Sequence, residues 1–431
     1  MLQTLKNFIL LVFLGLLASC SSVFDTLNTS PQDNSKAVIA VLLPISGSNQ
    51  ELATSLLHTI ELANKHHLNK NIIIKVYDTK GSVTEAKKQM KQAIADNAQI
   101  VIGPMFAKTT ASIAPMAENK GIPVFTLSND IRLLQNYNNV FMVTNSPFYD
   151  IEAEVAYAKK QGSKRVAVLA PQNTYGDLSV AFLKASLTNN NLELVRVVRY
   201  SPKRANLTYE LNRLIPYGER IKYQKTQKAL KNHEVIKDEQ GNIITEPPKP
   251  KLNFDTLIIA DEGRRLAVVA SHFPLIDLAY QDLTIIGNSL WESNLVISNE
   301  ILQNAYYVTD VTSPVDTSFY KEYVAYYKTP PSKLSYTIYD AFMLASASVY
   351  QDPDGNTVID LAKNQFGNTK TINGVLSSFY MNQNNIKVKD MAVKQISHFS
   401  IKPVTTLPTK EITTISSYIE VLSTLEEEQQ K

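Results

Sequence analysis

Ile100-Val101-Ile102-Gly103-Pro104-Met105-Phe106, followed by Gly121-Ile122-Pro123-Val124-Phe125-Thr126-Leu127-Ser128-Asn129, decides the fold of this chain. Each piece is a short apolar run that stops at a loop. Such runs, without polar alternation, suit strands buried on both faces. Residues 108–119 between them carry Ile113, Met116 and Ala117 at helical spacing. Strand, loop, helix, strand forces a parallel pair joined by a crossover. In open parallel sheets, ligands bind beyond the carboxyl ends of the strands. Residues 103–106 and 126–129 are therefore the first places to look for function.

The same alternation extends outward. Strands are predicted at 36–43, 72–77 and 100–102, and helices at 50–66 and 84–96. The first of these helices has Leu52, Leu56, Ile60 and Ala63 on one face. Residues 140–143 read as a strand leaving this first sheet. A second series follows: helix 152–161, strand 165–170, a loop over 171–176, helix 178–189, strand 193–200, strand 255–260, helix 264–273 and strand 283–287. Further on, helices are predicted at 319–328 and 335–350, and closing strands at 373–379 and 391–399. The fold class is thus α/β, with two Rossmann-like, doubly wound lobes around a cleft. Residues 217–252 interrupt the second series with eight Lys/Arg against five Asp/Glu. This insertion reads as a charged helix over 219–232 and a Pro-rich return, either a solvated excursion or a protein-docking arm.

With 431 residues, the chain can form two full cores. A net charge of +3 gives no case for nucleic acid. Lys6 and the apolar residues 8–17 precede Leu17-Ala18-Ser19-Cys20, which matches the bacterial lipobox. The apolar run of about ten residues falls short of the roughly 20 needed to span a membrane. Cys20, the sole cysteine, is read as the lipidated residue, so the mature chain has no disulfide, Cys nucleophile or Cys-ligated metal. Residues 1–19 are then a lipoprotein signal peptide and 20–35 a tether to the membrane. By lipoprotein sorting rules, Ser21 favours the periplasmic face of the outer membrane.

Catalytic motifs do not emerge. There is no G-x-S-x-G, P-loop or G-x-G-x-x-G. Adjacent His66 and His67 point about 100° apart on a helix and make no metal pair. No cofactor is expected. What remains is a set of residues on loops after strands: Ser46, Ser48, Phe106, Ser128 and Asn129 in the first lobe, and Tyr175, Asp261, Glu262 and Trp291 in the second. Helix-start N–H groups would hold an anionic group in the first lobe, and a carboxylate with a tyrosine would take the cationic end in the second. Lobe closure would trap a small amino-acid-like ligand. Each residue taken singly also serves as a helix cap.

Val76-Tyr77-Asp78-Thr79-Lys80-Gly81, Ile102-Gly103-Pro104, Gly121-Ile122-Pro123 and Lys164 to Pro171 with Tyr175-Gly176 resemble the leucine-binding-protein group of type I periplasmic binding proteins. The resemblance runs from about residue 36 to 400. It implies chain crossings near Thr144, Ser289 and Asn373, with lobe 1 made of 36–145 and 292–372. Lobe 2 is then 146–291 and 373–404, and 405–431 form a tail. The insertion, Phe254-Asp255, Ile286-Gly287-Asn288-Ser289-Leu290-Trp291 and Ser335-Tyr336 with Tyr339-Asp340-Ala341 look more like the lipoprotein activators of penicillin-binding proteins. Enterobacterial members carry an extra N-terminal helical-repeat domain that this sequence lacks. Where amino-acid receptors often present a serine hydroxyl, this sequence has Phe106-Ala107, which would weaken amino-acid binding by about 1–3 kcal/mol. Two non-enzymatic functions follow: activation of peptidoglycan synthesis by contact with a penicillin-binding protein, or substrate binding for an amino-acid ABC transporter.

Overall fold

The computed structural model describes residues 36–412 and 420–425, apart from 67–68, 146, 277, 279–282, 355–356 and 361–370. The expected signal peptide, Cys20, the tether and most of the acidic tail lie outside the described residues. The chain forms two compact units: unit 1 from the N-terminal side to 146 with 312–389, and unit 2 from 147–311 with 390 onward.

Unit 1 is organised by a five-stranded parallel sheet. Its strands are β1 (Ala37–Leu43), β2 (Ile72–Asp78), β3 (Ala98–Ile102), β4 (Val124–Thr126) and β5 (Val140–Met142), in the order β2-β1-β3-β4-β5. The strand expected to leave this sheet is its edge member, paired in parallel with β4. All seven residues of β1 are buried. Ala37, Ile39, Val41 and Leu43 pack with α1 (Gln50–His66), while Val38, Ala40 and Leu42 pack with α2 (Val83–Ala95) and α3 (Ala107–Glu118). Helices on both faces are why the strand has no polar alternation. Each buried Val, Leu or Ile contributes about 1.5–3 kcal/mol.

The later part of unit 1 adds α8 (Ser318–Tyr327), α9 (Lys333–Ala347), the short pair β13 (Val349–Gln351) and β14 (Thr357–Ile359), and a three-stranded antiparallel sheet. That sheet comprises β15 (Ile372–Asn373), β16 (Ser378–Met381) and β17 (Lys387–Lys389). A buried ion pair, Lys387 Nζ to Asp340 Oδ2 at 2.6 Å, fastens it to α9.

Unit 2 begins with α4 (Pro147–Lys160), then β6 (Arg165–Pro171), α5 (Thr174–Asn189) and β7 (Glu193–Tyr200). After the insertion come β10 (Thr256–Ile259), α7 (Gly263–Ser271), β11 (Thr284–Gly287), β12 (Tyr306–Asp310), β18 (Met391–Ser397) and β19 (Ser400–Leu407). They form one sheet in the order β19-β18-β12-β11-β10-β6-β7. It is parallel from β7 to β12 and antiparallel at β18 and β19. Pro403 lies in the edge strand β19, where a missing N–H costs no ladder bond.

The chain passes between units at 146/147, 311/312 and 389/390; the first is close to the expected Thr144, and the other two come well after Ser289 and Asn373. Three strands account for the later crossings. Tyr306-Tyr307-Val308-Thr309-Asp310, passed over in the sequence, is an aromatic and β-branched run that pairs with β11, so 292–311 belong to unit 2. Strands β16 and β17 pair with each other and hold 373–389 in unit 1.

In the insertion, helix α6 (Tyr217–Lys231) has no buried residue. Its return is less simple than a Pro-rich excursion: β8 (Ile236–Lys237) and β9 (Ile243–Ile244) make a small hairpin. Lys251 N donates to Glu219 Oε2 at 3.0 Å and closes the arm at its base.

Candidate functional site

The strand orders locate the site in each unit. In unit 1 the chain goes from β1 outward to β2, then back across to β3 on the other side. In unit 2 it goes from β6 outward to β7, then across to β10. The switch points are β1/β3 and β6/β10, and a crevice opens there because the loops after the two strands turn opposite ways. The loops after β1 and β3 carry Ser46, Ser48 and Phe106. The loop after β10 carries Asp261 and Glu262, and Tyr175 stands just past the loop after β6, in the helix that follows.

In unit 1, Gly103 ends β3 with φ +92°, and a Cβ there would collide with the Leu42 carbonyl oxygen. Only glycine lets β3 lie this close to β1 and turn into α3. Phe106 is the N-cap of α3 with φ −112° and ψ 146°, and it offers no side-chain cap. Its ring is 37% exposed. Ser46 is already engaged, with Oγ donating to Asp78 Oδ2 at 2.5 Å. Ser48 is exposed and accepts from Asn49 Nδ2 at 3.3 Å. Ser128, after β4, is buried, and its Oγ accepts from Asp130 N at 3.2 Å, which leaves the hydroxyl proton to donate. Beneath it, Thr126 Oγ1 accepts from Ser128 N at 3.1 Å and lies 2.8 Å from Thr110 Oγ1. Asn129 is exposed. Asp130 is held below the usual carboxylate range by Arg132, whose Nε and Nη2 both donate to it.

In unit 2, Tyr175 lies in the first turn of α5, one step past the loop expected to hold it. Asn173 caps that helix by accepting from Gly176 N at 2.9 Å. The Tyr175 hydroxyl accepts from Asn288 Nδ2 at 2.9 Å. Burial, then the nearby Glu154, Asp150 and Glu262 carboxylates, push its pKa up. Asp261 is buried and engaged: Oδ2 accepts from the Tyr200 hydroxyl and Oδ1 from Glu262 N at 2.8 Å. Burial is the main cause that raises its pKa. Glu262, the N-cap residue of α7, is exposed and makes no side-chain cap bond. Trp291 does not line an open surface. It is fully buried, packs on Gly287 where a Cβ would strike its ring, and donates Nε1–H to the Asp261 carbonyl at 2.9 Å.

Sequence reasoning missed Asp150, Glu154, Asn288 and Ser289. Ser289 donates through N, at 3.3 Å, and through Oγ to Asp150 Oδ2. The available signal was Asp150-Ile151-Glu152-Ala153-Glu154, acids set in an otherwise apolar helix. Among the described residues, no group of three or more His, Cys, Asp or Glu side chains could hold a metal ion.

Residues 36–218 match the periplasmic binding protein family model. Solved structures extend the likeness through both units. A protein from Rhodospirillum rubrum assigned to branched-chain amino acid ABC transport aligns with TM-score 0.64 and 12% identity, over 86% of this chain and 100% of its own. The fold is that of the type I periplasmic binding proteins. A branched-chain amino acid ABC transporter ligand-binding protein from Burkholderia xenovorans aligns at TM-score 0.58 and 13% identity, over 88% and 96% of the two chains. A leucine-binding protein from Thermotoga maritima aligns at 0.50 and 18%, over 87% and 99%. No curated protein sequence matches the chain. At these identities the type I likeness speaks for the fold and leaves the ligand to the residues themselves.

Proposed function

We propose that this chain is a non-enzymatic periplasmic lipoprotein that stimulates a penicillin-binding peptidoglycan synthase by protein contact. Its lipid anchor would be Cys20, and its place the inner face of the outer membrane. The carrying observation is the arm at 217–252. Helix α6 buries none of its 15 residues. A helix of that length is marginal in water without packing, so an unpacked one suits a surface that packs elsewhere. Exposed Lys222, Lys225, Lys228 and Lys231 recur every third residue with no ion pair among the described residues, and Tyr217 at the start of their helix is 70% exposed. An exposed aromatic suits an interface core, and the lysines suit its polar rim, where they steer an acidic partner. Phe106 at the α3 N-cap, and an Asp261 already bound to Tyr200, lower the affinity of the strand-end loops for a free amino acid.

The test is the rate of glycan polymerisation and cross-linking by a purified bifunctional penicillin-binding protein, with and without the chain from Ser35 onward. Stimulation that disappears when 219–251 are deleted supports the reading. No change in rate and no binding would end it.

A second reading, the receptor of an amino-acid ABC transporter, is favoured by one observation. The Glu262 carboxylate stands exposed at a switch point without a partner among the described residues. Thermal melting against the twenty amino acids decides it. A ligand at 100 times its dissociation constant adds about 2.7 kcal/mol to stability. Glu262→Ala should erase such a shift.

A further inference from the structure

A surface helix ordinarily turns charged and polar residues outward. Helix α5 interrupts that pattern. Phe182, Leu183 and Leu187 close its inner face and are fully buried. Val180, Ala181 and Ala185 lie off that face and are only half-buried. Strand β7, at the edge of the unit 2 sheet, adds Leu194 and Val197, also half-buried. Residues 420–425 are helical and supply a third wall through Val421 and Leu425. Between these three elements lies a groove of about 950 Å³. That is within the roughly 300–1,000 Å³ of small-molecule sites.

The lining narrows the occupant. No Phe, Tyr or Trp lines the groove among the described residues, so a flat ring finds no stacking partner. Val, Leu and Ala side chains suit an aliphatic chain instead. An added peptide strand is a poorer fit, because β7 bulges: Val195 is skipped in the pairing with β6, and the run of edge groups is broken there. The charges on the lining are Lys184, Arg196 and Arg199 against Asp177 and Glu420. Arg199 is committed, donating to Asp177 Oδ1 at 2.6 Å and to the Pro171 carbonyl. Lys184 is exposed and has no ion pair among the described residues. Arg196 donates through Nη1 to the Arg213 carbonyl at 2.9 Å, and its buried Nε has no acceptor among the described residues. An unmet guanidinium N–H beside an apolar groove is a cost that an incoming anion can remove.

We propose that this groove binds a straight-chain aliphatic carboxylate of the fatty-acid class. The chain lies between α5, β7 and residues 420–425, and the carboxylate is drawn to Lys184 and Arg196. The inference is independent of the synthase-contact function, since the groove shares no residue with the arm at 217–252 or with the strand-end loops. No covalent bond changes. Burial of methylene groups supplies the affinity, and charge-assisted hydrogen bonds set the sign of the head group.

The experiment is titration calorimetry of the chain from Ser35 onward, both units included, with sodium hexanoate, octanoate and decanoate below their micelle concentrations. Decyltrimethylammonium, with the same chain and the opposite charge, and acetate, with the head alone, are the controls. The expected result is one saturable site whose affinity rises about two- to fourfold for each added methylene. Both controls should bind at least about tenfold more weakly than decanoate. Ala185→Phe should remove binding by filling the groove, and Lys184→Gln with Arg196→Gln should weaken it at least about tenfold. Lys184→Gln alone changes an exposed side chain, so it keeps the fold and should still weaken decanoate. Affinity that ignores chain length, equal binding of decyltrimethylammonium, full binding by Ala185→Phe, or no decanoate binding up to about 1 mM would each overturn the site. Binding that appears only when the chain is ended at Leu425 would overturn it too, by giving the groove to the chain's own C-terminal residues.

Discussion

Replacing Lys387 with Met should destabilise unit 1 far more than an ordinary substitution. The Lys387 and Asp340 side chains are 6% and 5% exposed, with Nζ to Oδ2 at 2.6 Å. Asp340 Oδ1 also accepts from Val375 N at 2.9 Å, and Lys387 sits 4.9 Å from the centre of the Phe379 ring. Removing the lysine leaves a carboxylate buried with one neutral donor. Breaking a buried pair in this way costs about 3–5 kcal/mol. For a unit of this size, about 2–4 °C of melting temperature is lost per kcal/mol, so the unit 1 transition should fall by about 6–20 °C. The assay separates the units, because the only tryptophan, Trp291, lies in unit 2. Circular dichroism should record the early loss, and tryptophan fluorescence should report the unit 2 transition. Lys387→Met with Asp340→Leu should recover most of the loss, short of about 1 kcal/mol for the orphaned Val375 N–H. A single variant that loses under about 1 kcal/mol, or a double variant no better than the single, would refute the account.

Three further outcomes are expected. Gly103→Ala should cost unit 1 at least about 1–3 kcal/mol in urea unfolding, because φ +92° is strained for alanine and its Cβ meets the Leu42 carbonyl. Phe106→Ser should leave unit 1 stability level or higher, since a serine N-cap supplies about 1 kcal/mol to α3; it should also raise affinity for L-leucine by calorimetry if the strand-end loops are a latent amino-acid site. The third concerns pH. Burial raises the Glu154 pKa in the folded state, so its contribution to unit 2 stability is fully present below the unfolded value of about 4.3. That contribution is lost as pH rises through the folded pKa. Tryptophan-detected unfolding between pH 4 and 8 should show this decline, and Glu154→Gln should flatten it.

The regular parts of the fold were legible because burial on both faces writes itself as an uninterrupted apolar run. Strand β1 and the run into the glycine-proline turn after β3 were readable in this way, whereas helix α1 showed by its 3.6-residue spacing and the partly buried edge strand β7 by its Val and Leu content. Strand β12 was not, because Tyr306-Tyr307-Val308-Thr309-Asp310 ends in polar residues and follows short helical turns with no pattern of their own. Asp340 was visible only as part of a resembling motif, and its partner Lys387 lies 47 residues away on a strand too short to announce itself. Trp291 looked like a ligand platform from its place after a strand. Nothing local reveals that Gly287 opens the space into which its ring folds back.

The strand-end residues divide by what they have left to give. Ser46 and Asp261 spend their side chains inside their own units, on Asp78 and Tyr200, and Trp291 spends its N–H on the Asp261 carbonyl. Ser128 keeps a hydroxyl proton, and Glu262 keeps its whole carboxylate among the described residues. The remainder in unit 1 is a neutral hydroxyl donor, and the remainder in unit 2 is acidic. An α-amino acid needs an anion-binding partner as well as a cation-binding one. Neither remainder involves the arm at 217–252, which leaves the arm free for a separate, macromolecular contact.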